Sequence, residues 1–386
     1  MWMTCSKQQG SRAATTQGRS PRSSFSLVVG LGLGLCSGLA QAAAPQSSPL
    51  VELKPRTASK VQPIQVVNPE TLVQRRLCVW DLMGENGENF AAMKDYQVKA
   101  ATLGVDFKLK GYIDEKVASA DFRAGYCDAV LLTGLRARPY NFFTGSIESV
   151  GSIPDYEHMR TLLSILSQPS AAKLMNTELE GQRYEVAGVL PFGRVFGFVN
   201  DRSIKSPEAL IGKKVAVFDY DKAQAQLIKE LRAVTDPSDV TNFASKFNDK
   251  QVDVVISPAI AYRSLELYKG MGQKGGVVNL VLAQVSLQLL THPERFPEDF
   301  GVRSREYVFS LFDRQLKMLR RYESDVPESA WISISEPEHQ RYIRMGQQAR
   351  QSMVDEKTLD PRMLTLLKKI RCQKNPALAE CSQTGY

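Results

Sequence analysis

Histidine is scarce in this 386-residue chain and the common catalytic signatures are missing, which narrows its function before any segment is read. The three histidines, His158, His292 and His339, fall in separate segments and show no metal-ligand spacing. No G-x-S-x-G elbow occurs. The one string resembling a dinucleotide fingerprint is Gly270-x-Gly272-x-x-Gly275. It follows a helical pattern and precedes a strand pattern, the reverse of the order that would aim a helix N-terminus at phosphate. These glycines read as a helix C-cap and loop. The chain is therefore expected to be no enzyme and to carry neither cofactor nor metal.

A large charge imbalance is missing as well. The formal net charge is +8, but the first 42 residues hold four basic and no acidic side chains, and without them 45 basic residues face 41 acidic ones, a net charge of +4. That balance gives no reason to expect a nucleic-acid partner. The apolar run Phe25–Ala40 is short and glycine-rich; it follows Arg12, Arg19 and Arg22 and ends at Ala40-Gln41-Ala42. Residues 1–42 thus read as a secretory signal peptide; the alternative, an uncleaved membrane anchor, is disfavoured by the shortness of the run. Four cysteines follow it: Cys78, Cys127, Cys372 and Cys381. An even count in an exported chain favours two disulfides, Cys78 with Cys127 and Cys372 with Cys381, buried free thiols being the alternative for the first pair.

What is present is an α/β pattern. Residues 43–74, rich in Pro, Ser, Gln and Val without helical period, read as a flexible leader. A strand at 78–83, a helix at 89–103, an alternating strand from Val105, a helix at 114–124 and a strand at 129–133 follow, and this alternation implies a parallel sheet with right-handed crossovers. The stretch Val189–Asp221 organises the middle. An aromatic-rich strand bearing Arg194 leads to a one-turn helix at Ser206-Pro207-Glu208, ended by Gly212, and a strand at 213–218. Helix is expected over 223–234, strand over 252–256, helix over 259–269 and a long strand over 277–290. In that strand Gln284, Ser286 and Gln288 form a polar face, read either as a solvated edge or as a ligand-lining surface. Helices from Arg303 onward close the chain.

Candidate binding groups lie just past predicted strand ends, where open α/β sheets form a crevice: Glu85 and Asn86, Thr133 and Arg136, Asp219 and Tyr220, and Ser257. Phe192 and Gln284 join them. Arg194 is the sharpest candidate, because a guanidinium in an aromatic run must meet either an anionic ligand or an internal carboxylate.

The order Pro154-Asp155-Tyr156-Glu157-His158, Gly193-Arg194, Ile204-Lys205-Ser206-Pro207-Glu208-x-Leu210-x-Gly212-Lys213-Lys214-Val215 and Phe247-x-x-x-Gln251-Val252-Asp253 resembles the receptor component of tripartite ATP-independent periplasmic (TRAP) transporters, of the dicarboxylate-receptor type. The resemblance spans Ser149 to Tyr262 and is most specific in the Ile204–Val215 block. It implies a periplasmic solute-binding protein of two α/β lobes with crossing hinge strands, a cleft for a small polar or anionic solute, and a helical C-terminal part. The expected division is 75–192 and 259–371 for the first lobe with its hinge and helices, 193–258 for the second lobe, and 372–386 for a tail. Membrane transporter subunits are the implied partners, and a monomer is expected. The resemblance places Arg194 at a carboxylate-contacting position, while Ala216 stands where the family's second ligand arginine is expected, leaving Arg136 or Arg138 as substitutes. The competing class is a binding-protein fold recruited as an envelope interaction or assembly subunit without a small ligand.

Overall fold

The computed structural model describes residues 72–386; the expected signal peptide and nearly all of the leader lie outside the described residues. The first strand, β1 (Val73–Trp80), pairs in parallel with β2 (Val105–Tyr112) on one side and β3 (Ala129–Thr133) on the other. Crossover helices Glu88–Ala101 and Glu115–Arg123 connect them, as the strand–helix alternation requires. Asp114 caps the second helix, accepting from the amides of Lys116 and Val117. The first helix begins at Gly87, which has no side chain to cap it. Instead the Asp81 carboxylate, just past β1, accepts from the amides of Asn89 and Phe90, and a Cβ on Gly87 would lie 1.7 Å from Asp81 Oδ1.

The short β4 (Asn176–Leu179) forms a hairpin with β5 (Gln182–Val199), and β5 pairs antiparallel with β9 (Gly276–Thr291) along most of its 18 residues. These two strands carry a single sheet through both lobes. Near one end β9 pairs with β3; near the other β5 pairs with β8 (Val254–Pro258), beyond which lie β6 (Lys214–Phe218) and the edge strand β7 (Val234–Ser238). A two-residue strand, β10 (Trp331–Ile332), adds to β9. The core follows the sheet, with one cluster around β1, β3 and the first half of β5, and two more on opposite faces of the second lobe.

Four local expectations need correction. The strand expected over 78–83 is β1, Val73–Trp80, which begins within the stretch read as flexible leader and ends before residues 81–83. The helix expected over 223–234 ends at Glu230, where the chain turns through Arg232 at φ 55° into β7. Pro237 and Asp236 hid that strand, and an edge position tolerates both. The helix expected over 259–269 is two short pieces, Ala261–Ser264 and Leu267–Met271, broken at Glu266 in the left-handed region. The polar face of β9 is not a solvated edge. Gln284, Ser286 and Gln288 are buried in the centre of the sheet, where Gln288 exchanges hydrogen bonds with Thr144 and Gln284 donates to the Ile153 carbonyl. The segment between Arg138 and Ile153 covers that face and supplies its partners, which is how polar side chains are accommodated there.

Both expected disulfides form. Cys78–Cys127 joins β1 to the loop before β3, and Cys372–Cys381 ties the helix Pro361–Lys374 to the tail, with Cα separations of 5.9 and 5.6 Å. Beside the second, Arg371 grips Glu380 through two hydrogen bonds of 2.6 and 2.7 Å. The loops closed span 49 and 9 residues. On chain-entropy grounds, replacing the first pair by serine is expected to cost about 4 kcal/mol and the second about 2.5 kcal/mol. Urea unfolding of the two variants checks this, and the reverse order would contradict it.

Candidate functional site

Between the lobes, outside the C-terminal ends of β1, β3, β6 and β8, lies a cavity of about 190 Å³. The first lobe contributes Trp80, Thr133 and Phe192; the second contributes Phe218, Ser257 and a run of aliphatic residues; the helix Glu336–Asp355 closes one side with Tyr342 and Met353. The wall is mostly apolar, and its charged groups are Arg138, Glu148 and Asp221.

Those three groups come from both lobes. Arg138, just after the short helix Gly134–Ala137, points Nη1 at Asp221 Oδ1 across 3.0 Å while its Nε donates to the Gly145 carbonyl at 2.8 Å. Asp221 also accepts from the Gln224 amide at the start of the helix Lys222–Glu230. Glu148 is 7% exposed. Its Oε1 accepts from the Ser286 amide and hydroxyl at 2.7 and 2.9 Å, and its Oε2 has no hydrogen-bond partner among the described residues. Burial pushes the Glu148 carboxyl up to about 8, against the opposing pull of the Ser286 donors and Arg138.

Beside the cavity a second set of groups bridges the lobes. Tyr220, in the loop after β6, lies under the Arg136 guanidinium, 3.4 Å from ring to carbon, and its hydroxyl reaches Glu115 Oε2 at 3.4 Å. Glu115 is fully buried, accepts from the Thr133 amide at 2.5 Å and stands 3.9 Å from Arg136 Nε. Burial raises its carboxyl to about 7, and the Thr133 hydrogen bonds and Arg136 limit that rise.

Of the residues picked out in the sequence, Thr133, Phe192 and Ser257 line the cavity, as does Arg138, named there as a substitute arginine. Arg136 and Tyr220 meet each other in the bridge beside it. Glu85 and Asn86 are exposed in a 3-10 turn, with Glu85 accepting from the Gly111 amide. Asp219 is exposed, and Gln284 is spent within the sheet; neither lines the cavity. Arg194 does not line it either. Its Nε and Nη2 bind both oxygens of Glu323 at 2.9 and 2.5 Å, and the Tyr156 hydroxyl donates to the same carboxylate at 2.7 Å. The reason is a β-bulge. The β5–β9 register shifts between Pro191 and Gly193, and Gly193 takes φ 136°, so Phe192 and Val195 face the cavity while Arg194 turns away. Glu148, Asp221 and Trp80 were not chosen as site residues. Glu148 carried a usable signal, since a lone acid in Ile147-Glu148-Ser149-Val150 invites the same question as Arg194 in its aromatic run.

A family model described as solute-binding protein AdeT 1/2 matches residues 96–385. The probable solute-binding protein AdeT1 of Acinetobacter baumannii is 39% identical over 304 residues, covering 79% of this chain and 99% of its own. Among solved structures, a TRAP periplasmic solute binding protein from Desulfovibrio salexigens with bound orotic acid aligns with a TM-score of 0.63 at 12% identity, covering 78% of this chain and 99% of that one. One from Haemophilus influenzae with bound L-gulonate aligns at 0.64 and 11% identity, covering 77% and 99%. At these identities the structures speak for the fold, which is the two-lobed α/β architecture expected.

Two outcomes follow for the ligand-free protein. Arg194→Ala is expected to lower the unfolding free energy by about 2 kcal/mol, because it strands Glu323 in a partly buried site. With Glu323→Ala the combined loss should fall short of the sum of the two, as urea unfolding would report, and strict additivity would show the pair to be idle. The second outcome concerns pH. Glu115 and Glu148 hold their protons more tightly folded than unfolded, so the native state carries the extra protons between the ordinary carboxylate range and their raised values. Their contribution to stability is then greatest at low pH, declines as pH rises from about 5 to about 8, and levels off above. The melting temperature should fall across that interval, less steeply in Glu148→Gln; a rise there, or an unchanged slope in the variant, would contradict this.

Proposed function

We propose that this chain, which belongs to the AdeT 1/2 family of solute-binding proteins, takes up a small solute in the cavity between its lobes and delivers it in the periplasm to a membrane transporter. The carrying observation is that one cavity is walled from both lobes while groups of both lobes meet around it, Arg138 with Asp221 and Arg136 and Glu115 with Tyr220. A cavity of this construction fills by opening along those contacts and closes by re-forming them. β5 and β9 serve as the hinge, since they are the long strands that pass between the lobes.

The ligand carboxylates of the orotic acid and L-gulonate complexes make an organic acid the first class to test. Here the arginine in the cavity wall is Arg138, and a carboxylate would have to share it with Asp221. The competing reading, an envelope interaction subunit without small ligand, gains from Arg194 being held by Glu323. It loses from the cavity, which a subunit of that kind has no reason to keep open.

Native mass spectrometry of protein purified from its own periplasm tests the proposal. A small molecule is expected to co-purify and to leave on unfolding. Adding it back should change the emission of Trp80, which lines the cavity; among the described residues the other tryptophan is Trp331, packed on Phe196. A uniformly ligand-free spectrum would favour the interaction subunit.

A further inference from the structure

We infer that the cavity selects an organic cation, a molecule with an apolar body and one protonated nitrogen whose ammonium group lies against Glu148. The inference rests on the reading of the chain as a solute-binding protein and specifies what that site would take.

Charge balance within the wall is the first argument. Arg138 and Asp221 neutralise each other at 3.0 Å, and both are largely buried. Glu148 is the third charged group of the wall, and the guanidinium that acts on it is already engaged by Asp221. A ligand carboxylate would add a negative charge with no free cation to meet it among the described lining residues. An ammonium group paired with ionised Glu148 leaves the cavity neutral, the arrangement that a low-dielectric wall favours.

Geometry supplies the second argument. Glu148 is more than nine-tenths buried and lines the cavity, its Oε1 is held by Ser286, and its Oε2 is a buried acceptor without a partner among the described residues. A buried polar atom of this kind is ordinarily satisfied, and an N–H donor from a ligand would satisfy it. The third argument is the rest of the wall. Trp80, Phe192 and Phe218 put aromatic rings in the wall, a ring type that attracts cations, and the aliphatic residues beyond them suit a hydrocarbon body better than a polyhydroxylated acid.

Binding would be linked to a proton. Burial raises the Glu148 carboxyl to about 8, so binding of an ammonium near pH 7 is expected to displace a proton. The groups acting on Glu148 are Arg138 and Asp221 in the wall, with Tyr220 and its partners Glu115 and Arg136 next to them; Ser286, Gln288 and Thr144, which cover its other side, bring no charge.

The test uses three probes of one chain length and different heads: hexylammonium, 1-hexanol and hexanoate, titrated into the full-length mature protein by calorimetry. Hexylammonium is expected to bind at least about 10-fold more tightly than 1-hexanol, with hexanoate weakest. Near pH 7, buffers of different ionisation enthalpy should report release of close to one proton per ammonium bound and none for the alcohol. Glu148→Gln should abolish the preference for the ammonium. If that variant lacks a cooperative unfolding transition, proton release by the unaltered protein decides the matter alone. Tightest binding by hexanoate, equal binding of alcohol and ammonium, ammonium binding without proton release, or a co-purified solute lacking a basic nitrogen would each overturn the inference while leaving solute binding intact. No probe bound and no co-purified solute would overturn both.

Discussion

The antiparallel pairing of β5 with β9 is the constraint on which the rest of the molecule depends. Both strands are long enough to pass from one lobe to the other, and both are buried along most of their length, so neither lobe holds a sheet of its own. Any change in the angle between the lobes must be absorbed by these two strands. Their register shifts at three places, and Gly188, Gly193 and Gly197 each close one of the shifts. Bulges bend a strand and increase its twist, which makes them the places where bending costs least. Arg194 sits between two of them, and its grip on Glu323 fixes the helix Phe312–Ser324 to the bend. The arginine is thus best understood as part of the hinge.

Charge in the interlobe region follows one rule: each of the partly buried arginines Arg136, Arg138 and Arg194 is matched by a carboxylate or an aromatic ring. Arg138 has Asp221, Arg136 has Glu115 and the Tyr220 face, and Arg194 has Glu323 and the Tyr156 hydroxyl nearby. Two of these three sets join residues of opposite lobes. Removing one member would strand a charge in a dry site, which is why such pairs specify a geometry more than they add stability. In the opening proposed above, the Arg138–Asp221 pair would part and Tyr220 would leave Arg136 and Glu115, so closure of the lobes and formation of these contacts would be one event.

Much of this was legible from residues alone. The order of strands and helices up to Thr133, the disulfide pairs and the capped turn before β6 follow from local chemistry, because short-range patterns determine them. The composition of the site was less legible. Thr133 and Ser257 are legible because they stand at strand ends, whereas Phe192 lies inside β5, and the strand-end rule also selects Glu85, Asn86 and Asp219, which face solvent. Strand-end position says which side of the sheet a residue is on and nothing about how the lobes meet. Arg194 takes the second of the two partners open to it, an internal carboxylate, and its residue type alone does not decide between them. Whether it faces the cavity depends on one extra residue in a bulge, and a bulge reverses a strand's faces without changing its composition. The polar stripe of β9 deceived in the same way, since its partners come from residues more than a hundred positions earlier.

Glu148 remains the one charged group of the region that the fold itself does not require. Ser286 binds only Oε1, so a glutamine at 148 would keep both of those hydrogen bonds and avoid the cost of burying an ionisable acid, which drives the carboxyl up to about 8. A Cβ on Gly134 would come within 2.3 Å of that same Oε1, so the neighbouring backbone leaves room for the acid at the expense of a side chain of its own. A position that is crowded, desolvated and only half hydrogen-bonded weakens the native state wherever the acid must ionise. The stability of the protein therefore gives no account of an acid here. The account has to come from what enters the cavity, or from the proton that the acid holds until something does.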